Sequence, residues 1–107
     1  MADMSRPSPV MHSSVMLTEV LEALAPKDGG VYVDATFGAG GYSRALLEAA
    51  DCTVWGIDRD PLAQSIGADM RREFSGRLTV LAGRFGDMRE LLTSVGVDRI
   101  DGVALDL

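Results

Sequence analysis

A chain of 107 residues makes one small domain, able to bury roughly 60 to 70% of its unfolded surface. Hydrophobic residues are 47% of it and charged residues 24%, a globular balance and not a disordered one. The net charge of −6 argues against a whole-surface electrostatic grip on nucleic acid, and no apolar run approaches the ~20 residues needed to cross a bilayer.

Residues 1–13 hold two prolines and three serines and read as a mobile leading segment. The start MADMSRPSPV lacks the apolar centre of a secretory signal. From Leu17 the pattern changes: Leu17, Val20, Leu21 and Leu24 recur at helical spacing, Thr18 suits the N-cap, and Pro26 closes the helix. KDGG is a turn. VYVDAT then reads as a buried strand, followed by a glycine loop and a helix from about Tyr42 to Ala50.

CTVWGID is a second β-rich run ending on Asp58. Its Cys52 is the sole cysteine, which rules out an internal disulfide and fits a reducing compartment, so the expected location is the cytoplasm. In DRDPLAQSIGADMRREF, Asp60 stands at an N-cap with Pro61 at the first helical position. Leu62, Ile66, Met70 and Phe74 mark one face of that helix at four-residue spacing. RLTVLAG is a third strand. Asp87 and Glu90 resemble a capping box for MRELLTSV, Gly96 stops that helix, and DGVALDL is a fourth strand.

A helix, then strand and helix three times, then a strand predicts an α/β fold: a doubly wound parallel sheet with helices on its faces. A parallel strand needs cover on both faces. Residues 14–107 therefore read as the N-terminal half of a Rossmann-like domain, truncated after the fourth strand.

In DATFGAGG, glycines at 38, 40 and 41 permit a tight turn and the close approach of a ligand. The loop opens a helix N-terminus, where free N–H groups suit a polar or anionic group; a plain strand-to-helix turn would look the same. Asp58, at the carboxyl end of the next strand, can accept hydrogen bonds from two ribose hydroxyls, which points to an adenosine-containing ligand. The dinucleotide pattern requires a third glycine where this chain has Ser43. Asp34 ahead of small residues at 36, 38 and 40 instead resembles the first motif of class I methyltransferases. There Asp34 would orient the loop, meet a ligand ammonium, or tie down loop amides.

HSSVMLTEVLEAL, YVDATFGAGGYS, GIDRDPLA, RFGDM and DGVALDL resemble, in order and spacing, the bacterial MraW/RsmH family from about His12 to Leu107. The family comprises S-adenosylmethionine-dependent methyltransferases of a cytidine N4 amino group in the decoding region of 16S ribosomal RNA, within the small ribosomal subunit. The resemblance implies S-adenosyl-L-methionine as cofactor and no metal. By matching position, Gly38 belongs to the cofactor loop; Gly40, Gly41 and Tyr42 would meet the cofactor's amino-acid end, and Asp58 its ribose. Phe85 would lie against the adenine, although by composition alone it reads as core. Asp106 would sit near the methyl group as the catalytic residue. Tyr42 replaces the histidine usual in the family, and His12 matches a family histidine but receives no role.

The reaction implied is direct attack of the cytosine amino nitrogen on a sulfonium methyl, with the protein supplying alignment. The 107 residues alone are expected to be inactive, because the loop after Asp106 that borders the reacting base in the family is absent from them. The rival readings are a nicotinamide-dependent oxidoreductase domain, favoured by the glycine loop and Asp58, and a non-catalytic S-adenosylmethionine-binding or ribosome-assembly module.

Overall fold

Strand β1 (Val31–Asp34) is buried at Tyr32, Val33 and Asp34 in succession, as the centre of a parallel sheet requires. A computed structural model describes residues 9–105, with the side chains of 9–16 excepted. Around β1 stand β2 (Thr53–Ile57), β3 (Leu78–Leu81) and β4 (Gly102–Ala104), in the order β3-β2-β1-β4. All pairs are parallel: Val33 lies opposite Trp55 on one side and Val103 on the other, and Trp55 opposite Thr79. The expected α/β sheet is thus present, and the chain reverses its direction of travel across the sheet at β1. That reversal places a crevice at the carboxyl end of β1, where ligands of open α/β sheets bind.

Alternation along the strands feeds two cores. Tyr32, Val54 and Leu78 point to one face, where they meet Leu46 and Leu47 of α2 (Gly41–Ala49) and Ala63 and Met70 of α3 (Pro61–Glu73). Val33 and Ile57 point to the other, against Leu92 of α4 (Met88–Ser94). Leu46 and Leu47 are essentially inaccessible, and burying each contributes about 1.5–3 kcal/mol. That packing holds a nine-residue helix too short to persist by propensity.

Three local expectations change. Helix α1 runs Pro9–Leu24, so it already includes residues ahead of 14, and Thr18 lies inside it instead of capping it. Residues 1–8 lie outside the described residues. Leu62 is 65% exposed, because four-residue steps at about 100° per residue drift around a helix; the buried stripe of α3 is Ala63, Gly67 and Met70. Asp87 makes no capping hydrogen bond. The chain enters α4 through a 3-10 turn, Phe85–Asp87, which leaves Asp87 near φ −100°, ψ 15° instead of in the extended conformation that a capping side chain uses.

Candidate functional site

The carboxyl ends of β1, β2 and β3 open into one cleft of about 340 Å³, lined by Thr36 and Gly38 after β1, Asp58 and Arg59 after β2, and Arg84 and Phe85 after β3. The loop after β1 is pinned from several sides. Phe37 N–H donates to Ile57 O at 3.1 Å, Gly40 N–H to Phe37 O at 2.8 Å, and Arg44 N–H to Gly40 O at 2.8 Å. Gly38 adopts φ 56° and Gly40 φ 88°, a region that favours glycine.

The two glycines differ in what surrounds them. A side chain on Gly38 would meet only Thr36 O, at 3.8 Å. One on Gly40 would lie 2.7 Å from Met70 Sδ and 3.0 Å from the Phe37 ring, so crowding by the core adds to the left-handed backbone in favouring glycine at 40. Gly41, at the first position of α2, has open space where its side chain would be. Gly40 is the N-cap of α2 and has no side chain with which to cap it, which suits the helix start to an outside acceptor.

Asp58 is tied to its surroundings through both carboxylate oxygens. Oδ2 accepts from Gly38 N–H at 2.9 Å and Oδ1 from Asp60 N–H at 2.9 Å. Each carboxylate oxygen has capacity for a second hydrogen bond, so the group can brace the glycine loop and still accept ribose hydroxyls. Asp60 caps α3 as expected, its Oδ1 accepting from Leu62 N–H at 2.9 Å.

Phe85 is 48% exposed, so the core packing that its composition suggested is overturned: the 3-10 turn presents the ring at the cleft instead. Asp34 is fully buried, and its Oδ2 accepts from Ser43 Oγ–H at 2.7 Å. The residue standing where a dinucleotide motif has glycine is therefore committed to β1.

The structure brings Gly38, Asp58 and Phe85 together in the cleft lining, while Gly40, Gly41 and Tyr42 stand at the start of α2, outside that lining. Asp106 and the His12 side chain lie outside the described residues. Thr36, one of the small residues of the loop motif, lines the cleft as well, and so do Arg59, Gly83 and Arg84, which had not been singled out; their signal was position, each within a few residues of a strand's carboxyl end. An adenosine end fits this donor and acceptor set: an acceptor pair for hydroxyls at Asp58 and a half-exposed aromatic face at Phe85.

Among the described residues, no group of three or more His, Cys, Asp or Glu is arranged to hold a metal, and no helix is long and apolar enough to cross a membrane.

A family model described as the MraW methylase family matches residues 9–107. A protein of Parvibaculum lavamentivorans named ribosomal RNA small subunit methyltransferase H is 54% identical over 107 residues, covering all of this chain and 32% of that protein. A Rhodospirillum rubrum protein of the same name is 62% identical over 96 residues, covering 90% of this chain and 29% of its own length. One from Anaplasma marginale (strain Florida) is 51% identical over 98 residues, covering 92% and 34%. The chain thus spans about a third of the length of these relatives.

Proposed function

The chain belongs to the MraW methylase family, and from that premise we propose that the protein is an S-adenosylmethionine-dependent methyltransferase of small-subunit ribosomal RNA, acting in the cytoplasm. Its substrate is the exocyclic N4 amino group of a cytidine in the decoding region of 16S rRNA, presented within the small ribosomal subunit. The observation that carries the reading is the convergence of Gly38, Asp58 and Phe85 on one cleft at the carboxyl ends of three parallel strands. Family membership weighs against the nicotinamide alternative, in keeping with Ser43 at the position of the third glycine.

When bound, S-adenosylmethionine supplies an electrophilic methyl group on a sulfonium. The residues of this chain take the binding and alignment roles. Asp58 accepts the ribose hydroxyls through the lone pairs left by Gly38 and Asp60. Phe85 offers a ring face to the adenine. Gly40, Gly41 and Tyr42 meet the amino-acid end through the start of α2, a backbone contact that does not require the histidine usual at 42. Asp106 accepts a hydrogen bond from the cytosine amino group and makes its lone pair more available. A cytosine must be unstacked to enter such a site, so the RNA substrate is a loop or single strand.

Two measurements test this. Calorimetric titration should give binding with S-adenosylmethionine and none with NAD. Labelled methyl should pass from S-adenosylmethionine to immature small ribosomal subunits and map to a cytidine N4 atom. Transfer to another base, or binding of NAD in its place, would overturn the proposal.

A further inference from the structure

Gln64, in the first turn of α3, turns its side chain back toward the strand that precedes the helix. Its Nε2–H donates to the Asp58 carbonyl oxygen at 2.6 Å, in a partly buried position. Asp58 is thereby held on every polar group that it has. Its N–H donates to Leu81 O at 3.1 Å, its carbonyl accepts from Gln64, and its carboxylate accepts from the Gly38 and Asp60 amides. Among these partners Gln64 alone acts through a side chain; the others are main chain. Gln64 does not line the cleft, so whatever it does for a ligand there is done through Asp58.

We propose that Gln64 is a positioning residue for the Asp58 carboxylate and that it tunes the affinity of the cleft for a ribose bearing both hydroxyls. The inference rests on the reading of Asp58 as the ribose acceptor. The peptide that carries Asp58 lies between a strand end and a helix start, and a carbonyl there is free to tilt toward solvent once its donor is gone. Tilting that peptide moves the carboxylate relative to Gly38. Two hydroxyls must then be met by oxygens no longer fixed in advance, and the lost pre-organisation appears as weaker binding. A Gln64 that served α3 alone would affect stability and would be indifferent to the ribose.

The test uses the intact protein, the variants Gln64→Met and Gln64→Ala, and two probes: S-adenosylhomocysteine and its 2′,3′-dideoxyribose analogue. Each is titrated calorimetrically against wild type and both variants. A partly unfolded variant weakens both probes in the same proportion, so the ratio of the two affinities reports positioning separately from folding. Both variants should lose about fivefold in affinity for S-adenosylhomocysteine, the scale of one hydrogen bond, with the dideoxy analogue unchanged. Equal losses for both probes, or no loss for either, would overturn the role of Gln64 and leave the cofactor reading standing. Failure of the wild type to bind S-adenosylhomocysteine would overturn the cofactor reading itself, and this inference with it.

Discussion

Ser43 donates its hydroxyl to the buried Asp34 carboxylate at 2.7 Å, fastening the first turn of α2 to the end of β1. Both residues are fully buried, so the donor cannot be replaced by bulk water. Ser43→Ala should lower stability by about 1–3 kcal/mol, the cost of withdrawing a partner from a buried polar group. Urea denaturation read by circular dichroism measures it; a change below about 0.5 kcal/mol, the scale of a neutral surface substitution, would mean that the carboxylate is otherwise provided for.

Asp58→Ala removes both the proposed ribose acceptor and the bond to Gly38. Affinity for S-adenosylmethionine should fall by about 1.5–3 kcal/mol, the scale of hydrogen bonds to a charged group. Asp58→Asn should lose less, because one carbonyl oxygen remains to accept from an amide. Calorimetry on the two variants checks the order, and unchanged affinity in both would remove Asp58 from the site.

The glycine loop permits a sharper comparison than a single substitution. Gly40→Val should destabilise the fold, since its side chain would press on Met70 and the Phe37 ring and the backbone there is left-handed; overpacking alone costs about 1–3 kcal/mol. Loss of cofactor binding in that variant would therefore not isolate a ligand contact. Gly41→Ala enters open space at a helical position, where alanine is favoured by up to about 1 kcal/mol. It should keep or raise the melting temperature while weakening S-adenosylmethionine binding. A Gly41→Ala protein that binds as wild type places the ligand elsewhere.

Cys52 is 1% exposed, and its thiol lies 3.4 Å from Leu46 O. Burial is the leading influence on it and pushes the thiol pKa up, against the attraction of Arg77. A thiol with little thiolate character and no access is inert. Iodoacetamide at neutral pH should label Cys52 only at the rate at which the fold opens, and labelling as fast as in urea would contradict the placement.

Asp101 is held below the usual carboxylate range, first by the hydrogen bond from Val31 N–H, against which desolvation acts, and then by the charges of Arg99 and Lys27. Its folded pKa is depressed, so its contribution to stability is fully present above the unfolded value of about 4 and is lost as pH falls through the folded value. Melting temperatures of wild type and Asp101→Asn should differ above pH ~5 and converge in acid. A gap that does not narrow in acid would show that the charge of Asp101 is not what stabilises.

The sheet was legible because its signals are local and redundant. Four β-rich runs stand at even spacing, with glycine or proline between them and helical periodicity in the gaps. Asp58 could be named because it follows β2 directly, and Gly38 because it belongs to a glycine cluster between a strand and a helix. What could not be read depended on surroundings. Nothing in the spacing distinguishes Gly40, crowded by Met70 and Phe37, from Gly38, which faces the cleft. Phe85 reads as core until the 3-10 turn exposes it, and that same turn disarms the expected cap at Asp87. The bond from Gln64 to a backbone carbonyl leaves no trace in a hydropathy pattern.

The strand order also sets an order of assembly. β1 pairs with β2 by bringing Val31 to Thr53, and β2 with β3 by bringing Val54 to Leu78, both of them short chain closures. β1 meets β4 only by joining Tyr32 to Gly102, through three paired positions. The longer closure carries the larger entropic cost and the smaller return in hydrogen bonds. Strands β1 to β3 with α2 and α3 should therefore form first, and β4 should dock last on the far side of β1. In native-state amide exchange, β4 should open at lower free energy than β2. On a chain emerging from the ribosome, the cleft walls that hold Gly38, Asp58 and Phe85 would stand before the strand that leads to Asp106 is in place.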